Sequence, residues 1–194
     1  LSPHRAASFN GVEDTSGEQR ASLNQQYELG DDVSNDESFE QMILSNLSAS
    51  GIQNGRKSER MELEALEPYA GQFVQAVATQ SAESGEAPLR VGLAIGPQYG
   101  TVSPRFVKDA AREAITAGDI DVLAVLAFAF DPAASGVKTV DGGGDLEKTD
   151  DFAEVAASRN LGRLPVLFVR MNADLLMGDE LKKTGAGNLF MVFG

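Results

Sequence analysis

The chain has 194 residues, with 16 lysines and arginines against 29 aspartates and glutamates, one histidine and no cysteine. The absence of cysteine excludes disulfides, thiolate nucleophiles and cysteine-ligated metals. The lone histidine, His4, supports neither a Ser–His–Asp triad nor a multi-histidine metal site. The formal charge of −13 argues against an autonomous nucleic-acid binder, because a phosphate backbone repels so acidic a protein at long range.

The first segment, residues 1–33, consists mainly of polar and acidic side chains, with apolar residues too scattered to build a face. Such a segment buries too little apolar surface to offset the entropy lost on ordering. We therefore expect an extended or poorly ordered acidic arm over residues 1–33, with few contacts to the core. The rest of the chain, residues 34–194, is predicted to form one α/β domain.

The domain opens with a helical pattern. Phe39, Ile43 and Leu47 recur at helical spacing, and Gly51 stands where a helix C-cap belongs. The spacing predicts a helix over about residues 37–50.

Alternating apolar residues then predict a β-hairpin and the strands of a central sheet. The hairpin arms are residues 61–65 and 73–79, and the strands are 89–95, 122–130, 164–171 and 189–193. A helix opens at Ser103-Pro104 and ends at Gly118. A short helix over 152–157 and another from Asn172 to about Lys183 are also predicted, while residues 135–160 are interpreted as a flexible insertion. The fold class is α/β, with a mixed central sheet that is parallel in its later strands, a β-hairpin and flanking helices.

Polar residues follow three of these strands, at the edge where open α/β sheets bind ligands. The candidate crevice residues are Gly96, Tyr99, Thr101, Ser103, Asp131, Arg170 and Asn172. Ser103 and Asn172 are predicted to cap helices. Arg170 follows an apolar run, so it is predicted to pair with Asp131 or Asp174. The glycines of the first loop also suit tight turns, and a purely structural role for the crevice stays open.

The sequence contains two other polar clusters. Arg56, Lys57 and Arg60 are candidate phosphate contacts, although a basic cluster is also typical of a solvated loop. Glu147 and Lys148 follow a glycine-rich stretch and have the side chains of a nuclease metal site. Adjacent strand residues point to opposite faces and cannot share a metal, so no metal site is expected.

The hydropathy pattern predicts the cellular location of the protein. The longest apolar run, Val122–Phe130, is shorter than the roughly 20 residues that span a bilayer, and no charged-then-apolar leader is recognised. The expectation is a cytoplasmic protein with no membrane partner. Strand-like residues run directly up to Gly194, which favours a fragment of a longer protein.

Several stretches resemble the C-terminal region of large prokaryotic adenine-specific (N6) DNA methyltransferases of restriction–modification-like systems. They are Ser50-Gly-Ile-Gln-Asn54 with Glu64–Tyr69, Ala94–Ser103, Ala127–Pro132, and Leu164–Phe193 with its Arg170-Met-Asn-Ala-Asp and Thr184-Gly-Ala-Gly-Asn segments. The resemblance covers about residues 37–194, except for the loop at 136–160. It implies a parent protein that transfers a methyl group from S-adenosylmethionine to adenine in DNA.

The resemblance does not imply that this chain itself catalyses methyl transfer. Such enzymes use a D-P-P-Y-type tetrapeptide for the flipped base and an F-x-G-x-G loop for the cofactor. Asp131-Pro132 is followed by Ala133-Ala134, and F-x-G-x-G does not occur. The resemblance therefore implies no catalytic residue and no bound cofactor in this chain. The implied role is scaffolding or auxiliary contact with DNA or with subunits of the parent. The alternative is a self-contained α/β domain that binds a nucleotide or small molecule in the crevice.

Overall fold

The computed structural model describes residues 39–54, 59–80, 87–140, 143–150, 152, 155, 162–176 and 189–193. It divides into a unit of residues 1–41 and a unit of residues 42–194, and the second contains the sheet. The predicted arm over residues 1–33 lies outside the described residues.

Both described helices begin or end where the local sequence predicts. Helix α1 covers residues 39–50, and the Gly51 N–H donates to the Leu47 carbonyl at 2.8 Å with φ of +67°. Helix α2 is Pro104–Ala117; the Ser103 hydroxyl accepts from the Phe106 N–H, and Gly118 ends it at φ of 77°. A hydroxyl N-cap and a left-handed glycine satisfy the backbone groups that helix ends leave unpaired.

The described residues form one sheet of nine strands. The strands are β1 Ile52–Asn54, β2 Arg60–Met61, β3 Leu63–Pro68, β4 Ala76–Gln80, β5 Leu89–Ile95, β6 Val122–Ala127, β7 Leu146–Lys148, β8 Leu164–Met171 and β9 Phe190–Val192. Their order in the sheet is β2-β1-β9-β8-β6-β5-β4-β3, with β7 also paired to β8. Strands β3 and β4 form the predicted antiparallel hairpin, and β5, β6 and β8 are parallel neighbours. The predicted α/β class with a mixed sheet is confirmed.

Strand β6 occupies the centre of this sheet and is buried at all 6 residues, as its uninterrupted apolar sequence predicts. Helix α2 contributes a buried stripe to the core that it shares with the sheet. That stripe is Val107, Ala110, Ala111 and Ala114. Alanines on a buried stripe let a helix approach a sheet closely. The same core includes Leu123 and Val125 of β6 and Val166 and Phe168 of β8.

The structure departs from the sequence analysis within residues 135–160. This stretch contributes β7, which lies parallel to β8 with Leu146 opposite Leu164, and a 3-10 helix at Pro132–Gly136 precedes it. A strand of 3 residues is too short to show a period in sequence, and only its pairing with β8 buries Leu146. Of the predicted 152–157 helix, positions 152 and 155 are described, and both are helical.

The end of the chain also differs from expectation. Strand β9 runs antiparallel to β8 and parallel to β1, so the parallel run of β5, β6 and β8 does not continue through β9. In its described part, the predicted helix after Asn172 is a 3-10 helix at Ala173–Leu176. Residues 177–188 lie outside the described residues. Strand direction depends on the path of the intervening chain, which periodicity does not encode.

Candidate functional site

The loops that follow β5 and β6 meet at the carboxyl edge of the parallel strands. The Gly96 N–H donates to the Leu126 carbonyl at 2.7 Å, and the Val102 N–H donates to the Ala129 carbonyl at 3.0 Å. The Asp131 N–H in turn donates to the Val102 carbonyl at 2.9 Å. Backbone hydrogen bonds therefore hold the two loops together, and with them the predicted crevice residues that these two loops carry.

Gly96 allows this close approach of the two loops. A β-carbon at Gly96 would lie 2.7 Å from Val102 Cγ2, 3.1 Å from the Leu126 carbonyl oxygen and 3.1 Å from Ala127 Cβ. Close packing of the two loops therefore explains why glycine occupies position 96. A bound phosphate group is not needed to explain it.

Three polar side chains of the predicted crevice bind their own backbone. The Ser103 hydroxyl accepts from the Phe106 N–H at 3.2 Å, and Asp131 Oδ1 accepts from the Ala133 N–H at 2.8 Å. Asn172 Oδ1 accepts from the Asp174 N–H at 3.0 Å. The prediction that Ser103 caps a helix is confirmed. Asn172 binds the backbone at the start of the 3-10 helix Ala173–Leu176, and the longer helix predicted to follow it is not described.

The tip of the β5–α2 loop carries exposed side chains. Tyr99 is 83% exposed, and its hydroxyl oxygen lies 3.3 Å from Gln98 Nε2. Thr101 is also exposed. Neither residue is enclosed by the edge, so the crevice is a shallow rim at this point.

Gln75 sets the end of β5, and the sequence analysis missed it. The Ile95 N–H donates to Gln75 Oε1 at 2.8 Å, and Gln75 Nε2 donates to the Ile95 carbonyl at 3.4 Å. The side-chain amide thus extends the β4–β5 hydrogen bonding to Ile95, the last residue of β5. Glutamine in a turn has no distinctive pattern, so no sequence signal predicts this pairing.

The predicted ion pair of Arg170 with Asp131 or Asp174 is wrong. The Arg170 side chain is exposed, its guanidinium carbon lies 5.1 Å from the centroid of the Phe193 ring, and within the described part of the chain no carboxylate lies within 4.0 Å of it. The Asp131 carboxylate caps the 3-10 helix instead. A cation over an aromatic face is an alternative to an ion pair.

This geometry lowers the expected effect of Arg170→Ala. The substitution should cost about 0.5–1 kcal/mol of unfolding free energy, the range for an exposed cation–π contact. A broken buried ion pair would instead cost about 3–5 kcal/mol. Urea denaturation measures the difference, with Arg105→Ala on α2 as the control because the Arg105 side chain is 91% exposed. A loss above about 2 kcal/mol for Arg170→Ala would instead indicate that Arg170 forms a structural ion pair.

The basic cluster of the sequence is only partly described. Arg60 Nη2 donates to the Ala49 carbonyl at 3.1 Å, so this guanidinium binds one of the last carbonyls of α1. Arg56 and Lys57 lie outside the described residues.

The structure also assembles an aromatic cluster that the sequence analysis missed. Phe130, Phe168 and Phe193 pack with ring centroids 5.1–6.3 Å apart. Lys148 Nζ lies 5.6 Å from the Phe168 centroid and 5.8 Å from the Phe193 centroid. The period-two spacing of Phe168 and Arg170 in a strand is the one sequence signal that places both on the same face.

An open groove of about 480 Å³ adjoins this cluster. It is lined by Ser135, Val137, Lys138, Thr139, Asp145, Leu146, Glu147, Lys148 and Arg163. Arg163 pairs with Glu147 at 2.8 Å, which neutralises one charge of each sign. In the described ranges, this groove included, no group of three or more His, Asp or Glu side chains is arranged to hold a metal ion.

No helix within the described ranges has both the length and the apolar composition needed to cross a membrane. Comparison with protein-family models, with curated proteins and with solved structures finds no match for this chain.

Proposed function

We propose that this chain is a non-catalytic α/β domain from the C-terminal part of an adenine-specific DNA methyltransferase. Its role is scaffolding, or auxiliary contact with DNA or with neighbouring subunits of the parent. The rest of the parent protein, which acts in the cytoplasm, supplies S-adenosylmethionine binding, base recognition and methyl transfer.

The observation that carries this proposal is the joining of the resembling stretches in space. Ala94–Ser103 and Ala127–Pro132 are linked by two backbone hydrogen bonds, from the Val102 N–H to the Ala129 carbonyl and from the Asp131 N–H to the Val102 carbonyl. Within Leu164–Phe193, β8 and β9 are paired, and the Asn172 N–H donates to the Leu189 carbonyl at 2.8 Å. Segments far apart in sequence that share one family resemblance form one continuous part of the sheet, as expected of a common fold.

The local structure at Asp131 supports a non-catalytic role. In the D-P-P-Y type of tetrapeptide the side chains hold the extruded base. Here the Asp131 carboxylate caps a 3-10 helix, and Ala134 at the position of the aromatic residue is fully buried. These residues are used for folding, and they leave no ring to stack on a base.

The test uses the full-length reading frame that contains this chain. We expect Asp131→Asn to leave methyl transfer from labelled S-adenosylmethionine to adenine unchanged, because asparagine also caps helices well. Replacing the aspartate of a D-P-P-Y motif elsewhere in the frame should abolish transfer, and it serves as the matched comparison.

Two results would contradict the proposal. One is a full-length protein that shows no S-adenosylmethionine-dependent methylation of DNA. The other is an Asp131→Asn protein that folds but loses methyl transfer. Deletion of residues 34–194 from the parent separates the possible roles. Loss of salt-sensitive DNA binding indicates DNA contact, and loss of assembly alone indicates scaffolding.

A further inference from the structure

The turn between β3 and β4, residues 69–75, is fastened to helix α2 by a single carboxylate. The Phe73 N–H donates to Glu113 Oε2 at 2.8 Å. Within the described chain, this is the only hydrogen bond that residues 70–73 make. The Phe73 ring also packs edge-on against Phe106 of α2, with the ring centroids 5.7 Å apart. One carboxylate and one aromatic contact therefore hold the middle of the turn against the helix.

The two ends of the same turn are held without Glu113. The Tyr69 N–H donates to the Gln75 carbonyl at 2.9 Å, and the Gln75 N–H donates to the Leu93 carbonyl at 3.0 Å. Val74, which precedes Gln75, is fully buried in the core. The middle of the turn can therefore leave α2 without breaking the strand pairing on either side.

The second oxygen of the carboxylate lies beneath the turn. Glu113 Oε1 is buried and has no hydrogen-bond partner. A β-carbon at Gly71 would overlap this oxygen, and it would lie 2.7 Å from the Val74 carbonyl oxygen. Only glycine therefore allows the backbone to lie so close over the carboxylate. A buried acceptor without a donor has lost its hydration and gained no bond in return, so the closed turn carries a free-energy cost.

The surroundings of the turn favour its local opening. A groove of about 430 Å³ is lined on one side by Tyr69, Gln72 and Phe73 of the turn, and on the other by residues of α2 that include Glu113. Movement of the turn into solvent would hydrate Glu113 Oε1 and remove the cost of its burial. Phe73 is only half-buried, so its release exposes less apolar surface than the release of a core residue would. Segments with few buried contacts open at low free energy.

We propose that residues 70–73 form a strap that opens away from α2 while the rest of the domain stays folded. Glu113 is the latch that holds this strap closed, and Gly71 is the residue that permits closure. Opening enlarges the groove and exposes the Glu113 carboxylate to it. This strap does not rest on the proposed function, since it uses no family motif.

The experiment is native-state amide hydrogen exchange, followed by NMR on the full 194-residue chain at increasing low concentrations of urea. The Phe73 amide reports on the strap, and the Gln75 amide reports on the adjoining sheet. Glu113→Ala removes the latch, and Gly71→Ala obstructs closure. Gly136→Ala is the matched control, because a β-carbon there meets no atom within 4 Å.

In the native protein, we expect the protection factor of the Phe73 amide to be about tenfold or more below that of Gln75 and independent of urea, as local opening predicts. Glu113→Ala and Gly71→Ala should each lower the Phe73 protection by a further factor of about ten, the change expected for loss of one hydrogen bond to a charged group. The Gln75 protection should stay unchanged. Glu113→Gln should retain the Phe73 protection, because its amide oxygen still accepts from the Phe73 N–H and its amide nitrogen can donate to the Val74 carbonyl.

The proposal is overturned if the Phe73 and Gln75 amides share one protection factor and one urea dependence, because the turn then opens only together with the sheet. It is also overturned if Gly71→Ala behaves like Gly136→Ala, or if Glu113→Ala lowers the protection of both amides equally. The measurement on the native protein decides the first point even where a variant does not fold. A failure of the methylation test leaves the outcome unaffected, since the exchange assay uses no methyl donor.

Discussion

Phe168→Ala should lower the free energy of unfolding by about 3–5 kcal/mol, the range for truncating a fully buried phenylalanine. Phe168 lies in β8 and is 2% exposed. Its ring packs edge-on against Phe130 at 5.6 Å and supports Lys148 at 5.6 Å. Removing the ring leaves a cavity beside Phe130 and Phe193, because β8 is held to its neighbouring strands by ladder hydrogen bonds.

The measurement is chemical denaturation of the native protein and of matched variants. Phe168→Leu should cost less than Phe168→Ala, because leucine retains most of the buried apolar volume. Phe106→Ala is a second comparison, since the half-buried Phe106 makes a similar edge contact with Phe73 at 5.7 Å and should cost less. A loss below about 1 kcal/mol for Phe168→Ala would show that this part of the core is not packed as described.

Gly96→Ala should destabilise the protein by about 1–3 kcal/mol, the range for inserting a methyl group into a packed site. The added carbon would lie 2.7 Å from Val102 Cγ2, closer than carbon atoms pack. Val102 is fully buried and β-branched, and its N–H is bonded to the Ala129 carbonyl, so it has little freedom to move. The expected response is separation of the two loops at the carboxyl edge.

Gly136→Ala provides the matched control for that substitution. A β-carbon at Gly136 meets no atom within 4 Å, so the change should be neutral or slightly stabilising through the unfolded state. Thermal or urea unfolding of both variants measures the difference in their stability. Equal stability of the two alanine variants would mean that the loops do not approach as closely as the structure places them.

Much of the local structure follows from short-range physical chemistry. The proline and hydroxyl at Ser103-Pro104 and the glycine at 118 define α2 at both ends, because helix termini need side-chain or left-handed backbone solutions. The apolar runs at 122–130 and 164–171 predict strands buried on both faces, and β6 and β8 lie there. Alternation at 61–65 likewise predicts the hairpin of β3 and β4.

The candidate site was only partly predictable, and Arg170 shows why. Its position at a strand end is visible in the sequence, and so is its need for a partner. The partner itself is Phe193, which reaches it because β9 turns back antiparallel beside β8. Asp131, one of the two carboxylates expected from the sequence, instead accepts a hydrogen bond from the backbone of its own turn. Whether a carboxylate caps its own turn or pairs with a distant cation depends on the three-dimensional arrangement, which the sequence does not show.

The sequence by itself therefore determined the fold class, the helix ends and the central buried strands, since each depends on residues a few positions apart. Only the tertiary structure decided the strand order, the inclusion of β7, the direction of β9 and the convergence of Lys148 and Arg170 on Phe193. These features join residues that are distant along the chain. Their energies depend on which strands become neighbours, and hydrophobic periodicity is the same for every such arrangement.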